Sequence, residues 1–121
     1  MKQHLPSLLL AALAGGASGL AQANDYPTAE RVLYVQECVA THPGPQYEMV
    51  SKCSCALDAL ARELKYDDYV ELSTASKATT IGGERGSYIR EAPALQKEAR
   101  RYRELQSKAE KGCFLGAAVP R

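Results

Sequence analysis

Residues 46–65 read QYEMVSKCSCALDALARELK, and their spacing decides the fold class. Val50, Cys53, Leu57, Leu60 and Leu64 recur at intervals of three and four, which places them on one stripe of an α-helix. Two cysteines sit inside that helix, two positions apart. Cys53 and Cys55 therefore project about 200° apart around the axis and are badly placed to bond each other. A bridge between them would require unwinding of the strongest helical pattern in the chain.

The remaining sulfurs lie on either side, at Cys38 and Cys113. Four cysteines allow three pairings, and the helical argument disfavours one. Cys38 stands about a turn before His42-Pro43-Gly44-Pro45, and Cys53 about two turns after it. The preferred pairing is Cys38–Cys53, closing a helical hairpin, with Cys55–Cys113 pinning the last helix to the second. The exchange, Cys38–Cys55 with Cys53–Cys113, meets the same constraint and stays open. Either way the helix over 46–65 is tied to both ends of the domain, as its central packing element.

Working outward, Thr28 is a candidate N-cap for a helix ending near Thr41, with Val32, Val35 and Val39 along one face. The Pro-Gly-Pro turn stops it and starts the next. Asp67 is placed to cap a shorter helix over about 68–77, with Tyr69, Val70 and Leu72 turned inward. Residues 78–91, rich in Thr and Gly, read as a loop. A final helix begins near Pro93, whose ring suits a first turn, and carries Leu95, Ala99, Tyr102, Leu105, Ala109 and Cys113 on its apolar face. Gly112 favours a stop there, and the tail from about residue 115 reads as flexible. The fold class is all-α, a small bundle of about four helices cross-linked by two disulfides.

Compartment follows from the N-terminus. Lys2 and His4 form a basic head, Leu8 to Ala14 is apolar, and Ala21-Gln22-Ala23 is a small-residue cleavage motif, so residues 1–23 read as an export signal cleaved near Ala23. The apolar run is too short to span a bilayer, which takes about 20 residues, and no transmembrane segment is expected. Residues 24–121 then form one domain by length, destined for the periplasm or the exterior. In such a compartment cysteines become covalent ties.

The chain has no Trp, one Phe and seven Tyr. Its core must be built from Leu, Val, Ala and Tyr, and cross-links usefully supplement so thin an interior. Residues 24–89 hold six basic and ten acidic side chains; residues 90–121 hold eight and four. That polarity suits attraction between the last helix and the rest of the domain, or an oriented partner surface.

Candidate chemistry is sparse. Cys53-Ser54-Cys55 beside Lys52 is the alternative reading, a thiol–disulfide redox pair, but it sits in mid-helix rather than at the helix start that lowers a thiol pKa. Cys38, His42 and the Cys53/Cys55 pair could supply metal ligands, yet no CxxC spacing occurs and His42 reads as a solvent-facing residue before a turn, so no metal site and no cofactor are assigned. Asp67, Asp68, Glu71 and Glu84 read as surface acids, the pair at 67 and 68 matching a helix dipole. Ser54, Ser73 and Ser76 lack a triad motif, and no catalytic set is named.

The best surface candidate is the segment Gly82, Gly83, Glu84, Arg85, Gly86 to Arg90, where glycines permit concave backbone and two guanidiniums can receive an acidic partner. It lacks the GK[ST] ending of a phosphate-binding loop. The interspersed Glu98, Glu104 and Glu110 argue against nucleic acid as a ligand of the last helix. The expected function is a non-catalytic periplasmic accessory or interaction module whose partner is another exported protein.

Overall fold

The computed structural model describes residues 24–116, and the expected export signal lies outside them. Among the described residues the chain is all-helical: α1 (Thr28–Thr41), α2 (Gln46–Glu63), α3 (Tyr66–Ala78), α4 (Gly83–Glu91) and α5 (Pro93–Gly112). The order has one helix more than the sequence suggests, because α4 occupies ground read as a loop.

Glycine content conceals α4, and tertiary contact explains it. Gly86 is buried against the carbonyl of Ile81, where a Cβ would collide with that oxygen. The Arg90 guanidinium donates to the same carbonyl, and the Gln96 side-chain amide donates to Arg90 O. Glu84 lies in the first turn and Arg90 in the last, each matching the dipole end it occupies. A short helix of low intrinsic propensity is thereby fixed by its neighbours rather than by its own sequence.

The hub is α5, which packs against α2, α3 and α4, while α1 pairs with α2. This revises the expectation that α2 alone is central. On α2 the buried face runs through Met49, Cys53, Ala56, Leu57 and Leu60 to Leu64, with Cys53 fully buried. Val50 is 41% exposed and lies off it. Met49 takes the inward place because Gly44 has no Cβ: an added one would lie 2.9 Å from Met49 Cε.

Similar shifts occur on α1 and α3. Tyr34 and Cys38, one turn apart, are buried, whereas Val35 and Val39 flank the core and Val32 is exposed. Tyr69, Leu72, Ser73 and Ala75 face inward on α3, and Val70 does not. In both helices a tyrosine anchors the interior and displaces the valine face, since a ring buries more apolar area than a branched chain. The apolar face of α5 holds at Ala99, Tyr102, Ala109 and Cys113.

Helix entry also differs from the capping scheme. Thr28 is the first residue of α1, behind Pro27, and accepts from Arg31 Nη2 at 3.3 Å. Asp67 lies within the first turn of α3 beside Asp68. The cap of α3 comes from afar: Asp25 Oδ2 accepts the Tyr66 N–H at 3.0 Å.

A tyrosine cluster closes this end of the bundle. The ring of buried Tyr26 lies 5.5 Å from that of Tyr66 and 4.8 Å from that of Tyr69; Tyr69 and Tyr102 are 6.0 Å apart. Such separations suit edge and tilted aromatic packing, worth about 0.5–1.5 kcal/mol per pair beyond area burial.

At the far end α5 closes with two backbone bonds, Phe114 N–H to Lys111 O and Leu115 N–H to Glu110 O. This is the Schellman arrangement, and Phe114 holds its left-handed position at φ 58°. Leu115, where sequence reading begins a flexible tail, is buried. Residues 117–121 lie outside the described part.

Candidate functional site

Two sulfur bridges organise the bundle. Cys38 is bonded to Cys53 with Cα atoms 5.9 Å apart, and Cys55 to Cys113 at 5.8 Å. No described cysteine is free. The first bridge joins α1 to α2 in the interior; the second joins α2 to the C-cap of α5, with Cys55 on the exposed face. Cys53 and Cys55 thus belong to different bonds, as their opposite directions on α2 require.

His42 is the largest departure from the sequence reading. It is not solvent-facing: only 4% of its surface is exposed. Standing at the C-cap of α1, it directs Nδ1 at the Cys38 carbonyl, 2.9 Å away, with the Cys38 sulfur at 3.7 Å and Thr41 Oγ1 at 3.3 Å. Because a carbonyl only accepts, Nδ1 carries the hydrogen in this bond. Nε2 is buried with no hydrogen-bond partner among the described residues. It faces Glu110 Oε2 at 3.8 Å. Burial pushes the Glu110 carboxyl upward, against the opposing pull of His42.

The consequence is a compact group of soft donors. Cys38 Sγ, Cys53 Sγ and a His42 ring nitrogen lie within 4.8 Å of one another, all from buried residues. Beside them a cleft of about 240 Å³ is lined by His42, Pro43, Pro45, Met49, Lys52 and Leu115. A second cleft, about 270 Å³ and bordered by Tyr34, Glu37, Cys38, Lys77 and Tyr102, approaches from the α3 side. Sequence reasoning lacked the one signal that matters here, the crossing of α5 that brings Glu110 over His42.

On the outer surface the segment 82–90 divides into structural and exposed residues. Gly86 and Arg90 face the Ile81 carbonyl, Gly83 begins α4 with φ 75°, and Gly82 precedes it in extended backbone. Glu84 and Arg85 are exposed, and Tyr88 is 81% exposed on the same side, at helical spacings of four and three. Ile81 is exposed nearby in the chain.

Further along, Arg100, Arg103, Glu104, Ser107, Lys108 and Lys111 line a shallow surface on α5. Lys108 pairs with Glu63 of α2 at 3.0 Å, and Lys77 of α3 with Glu37 of α1 at 3.6 Å. The Lys108–Glu63 pair joins the basic and acidic parts of the sequence, whereas Lys77–Glu37 lies within the acidic part; as exposed pairs each is worth about 0–1 kcal/mol.

Among the described residues no helix is long and apolar enough to cross a membrane. No family model, curated protein or solved structure matches the chain.

Proposed function

We propose that the chain is an exported accessory module that binds another exported protein through the outer face of α4 and the basic surface of α5, without catalysis of its own. One observation carries this reading: Tyr88, Arg85 and Glu84 share a solvent-facing side of a helix whose other side is fastened by Gly86 and Arg90. Tyrosine and arginine are the residue types over-represented where interfaces concentrate their energy. A fixed backbone beneath them reduces the ordering cost of binding.

The two bridges support the same reading. They use every described cysteine to join helices, which suits a module held rigid in an oxidising compartment. The redox alternative draws less support, because Cys53 is fully buried and Cys55 is bonded to Cys113 instead.

The test is to express the exported protein with Arg85→Ala and Tyr88→Ala together, confirm that helicity and melting are retained, and cross-link in the native compartment. Loss of one defined cross-linked partner at unchanged stability is the expected result. Identical cross-linking by wild type and variant removes α4 as the binding face.

A further inference from the structure

Among the described residues, the buried group around His42 is the one place where the fold assembles more chemistry than packing needs. Cys38 and His42 stand one turn apart at the end of α1, and Cys53 meets them from α2. Two sulfurs and an imidazole from two elements, all within 4.8 Å, form a borderline-soft donor set of the kind that zinc takes. The carboxylate of Glu110 faces the remaining ring nitrogen. Metal-bound histidines characteristically donate that second N–H to a carboxylate, which holds the ring in place.

We propose that, once the Cys38–Cys53 bond is reduced, Cys38, Cys53 and His42 Nδ1 bind a single Zn(II), with Glu110 as the residue that positions the His42 ring. A dithiol reductant supplies two electrons and two protons, leaves as its own disulfide, and converts the bridge to two thiols. Zn(II) then displaces both thiol protons to solvent. The His42 ring moves its hydrogen from Nδ1 to Nε2, freeing Nδ1 for the metal and turning Nε2–H toward Glu110.

Three observations make this exchange inexpensive. The Cys38 carbonyl, which loses the ring N–H, keeps the His42 backbone N–H at 3.0 Å and the Thr41 hydroxyl at 3.0 Å. His42 Nε2, without a hydrogen-bond partner while the bridge is intact, gains one. Two thiolates neutralise the dication, so the buried group carries no net charge, whereas a monovalent ion would leave one uncompensated. The cleft at His42 and Met49 provides an entry path, and the open coordination position can hold water. Zinc would replace a sulfur–sulfur bond by a sulfur–metal–sulfur link between the same two helices. The inference does not depend on the α4 interaction surface.

The experiment uses the full chain, reduced without oxygen by a dithiol that is then removed, and titrated with Zn(II) against a competing chelator while helicity is followed. X-ray absorption reports the ligands. One equivalent retained, with two sulfurs and at least one nitrogen at the metal, is expected. His42→Gln weakens retention at least tenfold, and Glu110→Ala by about 10- to 100-fold. Cys55→Ala/Cys113→Ala leaves it intact. The proposal is overturned by retention that His42→Gln does not alter, by loss of binding only when Cys55 and Cys113 are removed, by preference for Cu(I) under the same competition, or by a reduced chain that stays unfolded with zinc present.

Discussion

Asp25 lies ahead of α1 and Tyr66 opens α3, yet the Asp25 carboxylate accepts the Tyr66 backbone N–H at 3.0 Å across 41 positions of sequence. The next residue repeats the pattern, since the Tyr26 hydroxyl donates to the Leu64 carbonyl at 3.1 Å, 38 positions on. Residues 24–27 therefore act as a strap that satisfies backbone groups at the end of α2 and the start of α3. Asp25→Ala is expected to cost about 0.5–2 kcal/mol, the range for losing an N-terminal cap. Tyr26→Phe should cost about 1 kcal/mol or more, because it leaves a buried carbonyl without that donor. Urea melts give both values, and faster amide exchange confined to the first turn of α3 in Asp25→Ala would identify the cap as the cause.

The two bridges should differ in their contribution. Cys55–Cys113 closes a loop of 58 residues and Cys38–Cys53 one of 15. On loop-closure entropy the first is worth about 4 kcal/mol and the second about 3. Each is a large part of the total stability of a small domain. Double Cys→Ala variants compared by urea denaturation should fall in that order. Equal or reversed losses would show that native-state packing, not the unfolded chain, sets the effect.

Alkaline pH should unfold the protein through its buried phenols. Burial holds the Tyr102 hydroxyl up at about 12 and raises those of Tyr26, Tyr34 and Tyr69 further. A folded-state pKa above the unfolded value favours the native state while the phenol stays neutral. That contribution is complete below the unfolded value of about 10 and is lost as pH rises toward the folded values. Melting temperature should hold to pH 9 and then fall steeply through pH 10–12, with tyrosinate absorbance rising as helicity is lost. Tyrosinate appearing with helicity intact would contradict the role of these four rings.

Gly86→Ala should detach α4 without dissolving the bundle. Its methyl would meet the Ile81 carbonyl, while α5 is held to α2 and α3 by contacts in which α4 takes no part. Hydrogen exchange should show protection lost across residues 83–91 and kept in α2 and α5. The opposite change, Leu60→Ala, removes a fully buried side chain and should cost about 2–5 kcal/mol with loss of protection throughout.

What could be read from sequence was whatever local spacing and punctuation determine. The Pro43-Gly44-Pro45 turn, the start of α5 at Pro93 and the helical run of α2 are all encoded within a few residues. Their inward faces were harder, because Met49 against Val50 and Tyr34 against Val35 are settled by what stands opposite. Helix α4 was hidden for the same reason: Gly83 and Gly86 argue against a helix locally, and only the approach of Ile81 and Gln96 reverses that. His42 shows the limit most clearly, since a histidine before a proline turn looks identical whether solvent or Glu110 lies above it.

The fold depends on α2 being bonded to α1 through Cys53 and to α5 through Cys55, and proteolysis of the unreduced protein followed by mass spectrometry tests this most directly. Cleavage between residues 53 and 55 has no reliable protease, so partial reduction with stepwise alkylation must accompany the digest. The expected result is linkage of Cys38 to Cys53 and of Cys55 to Cys113, with no alkylatable thiol before reduction. A Cys53–Cys55 bond, the exchanged pairing, or four free thiols would contradict it.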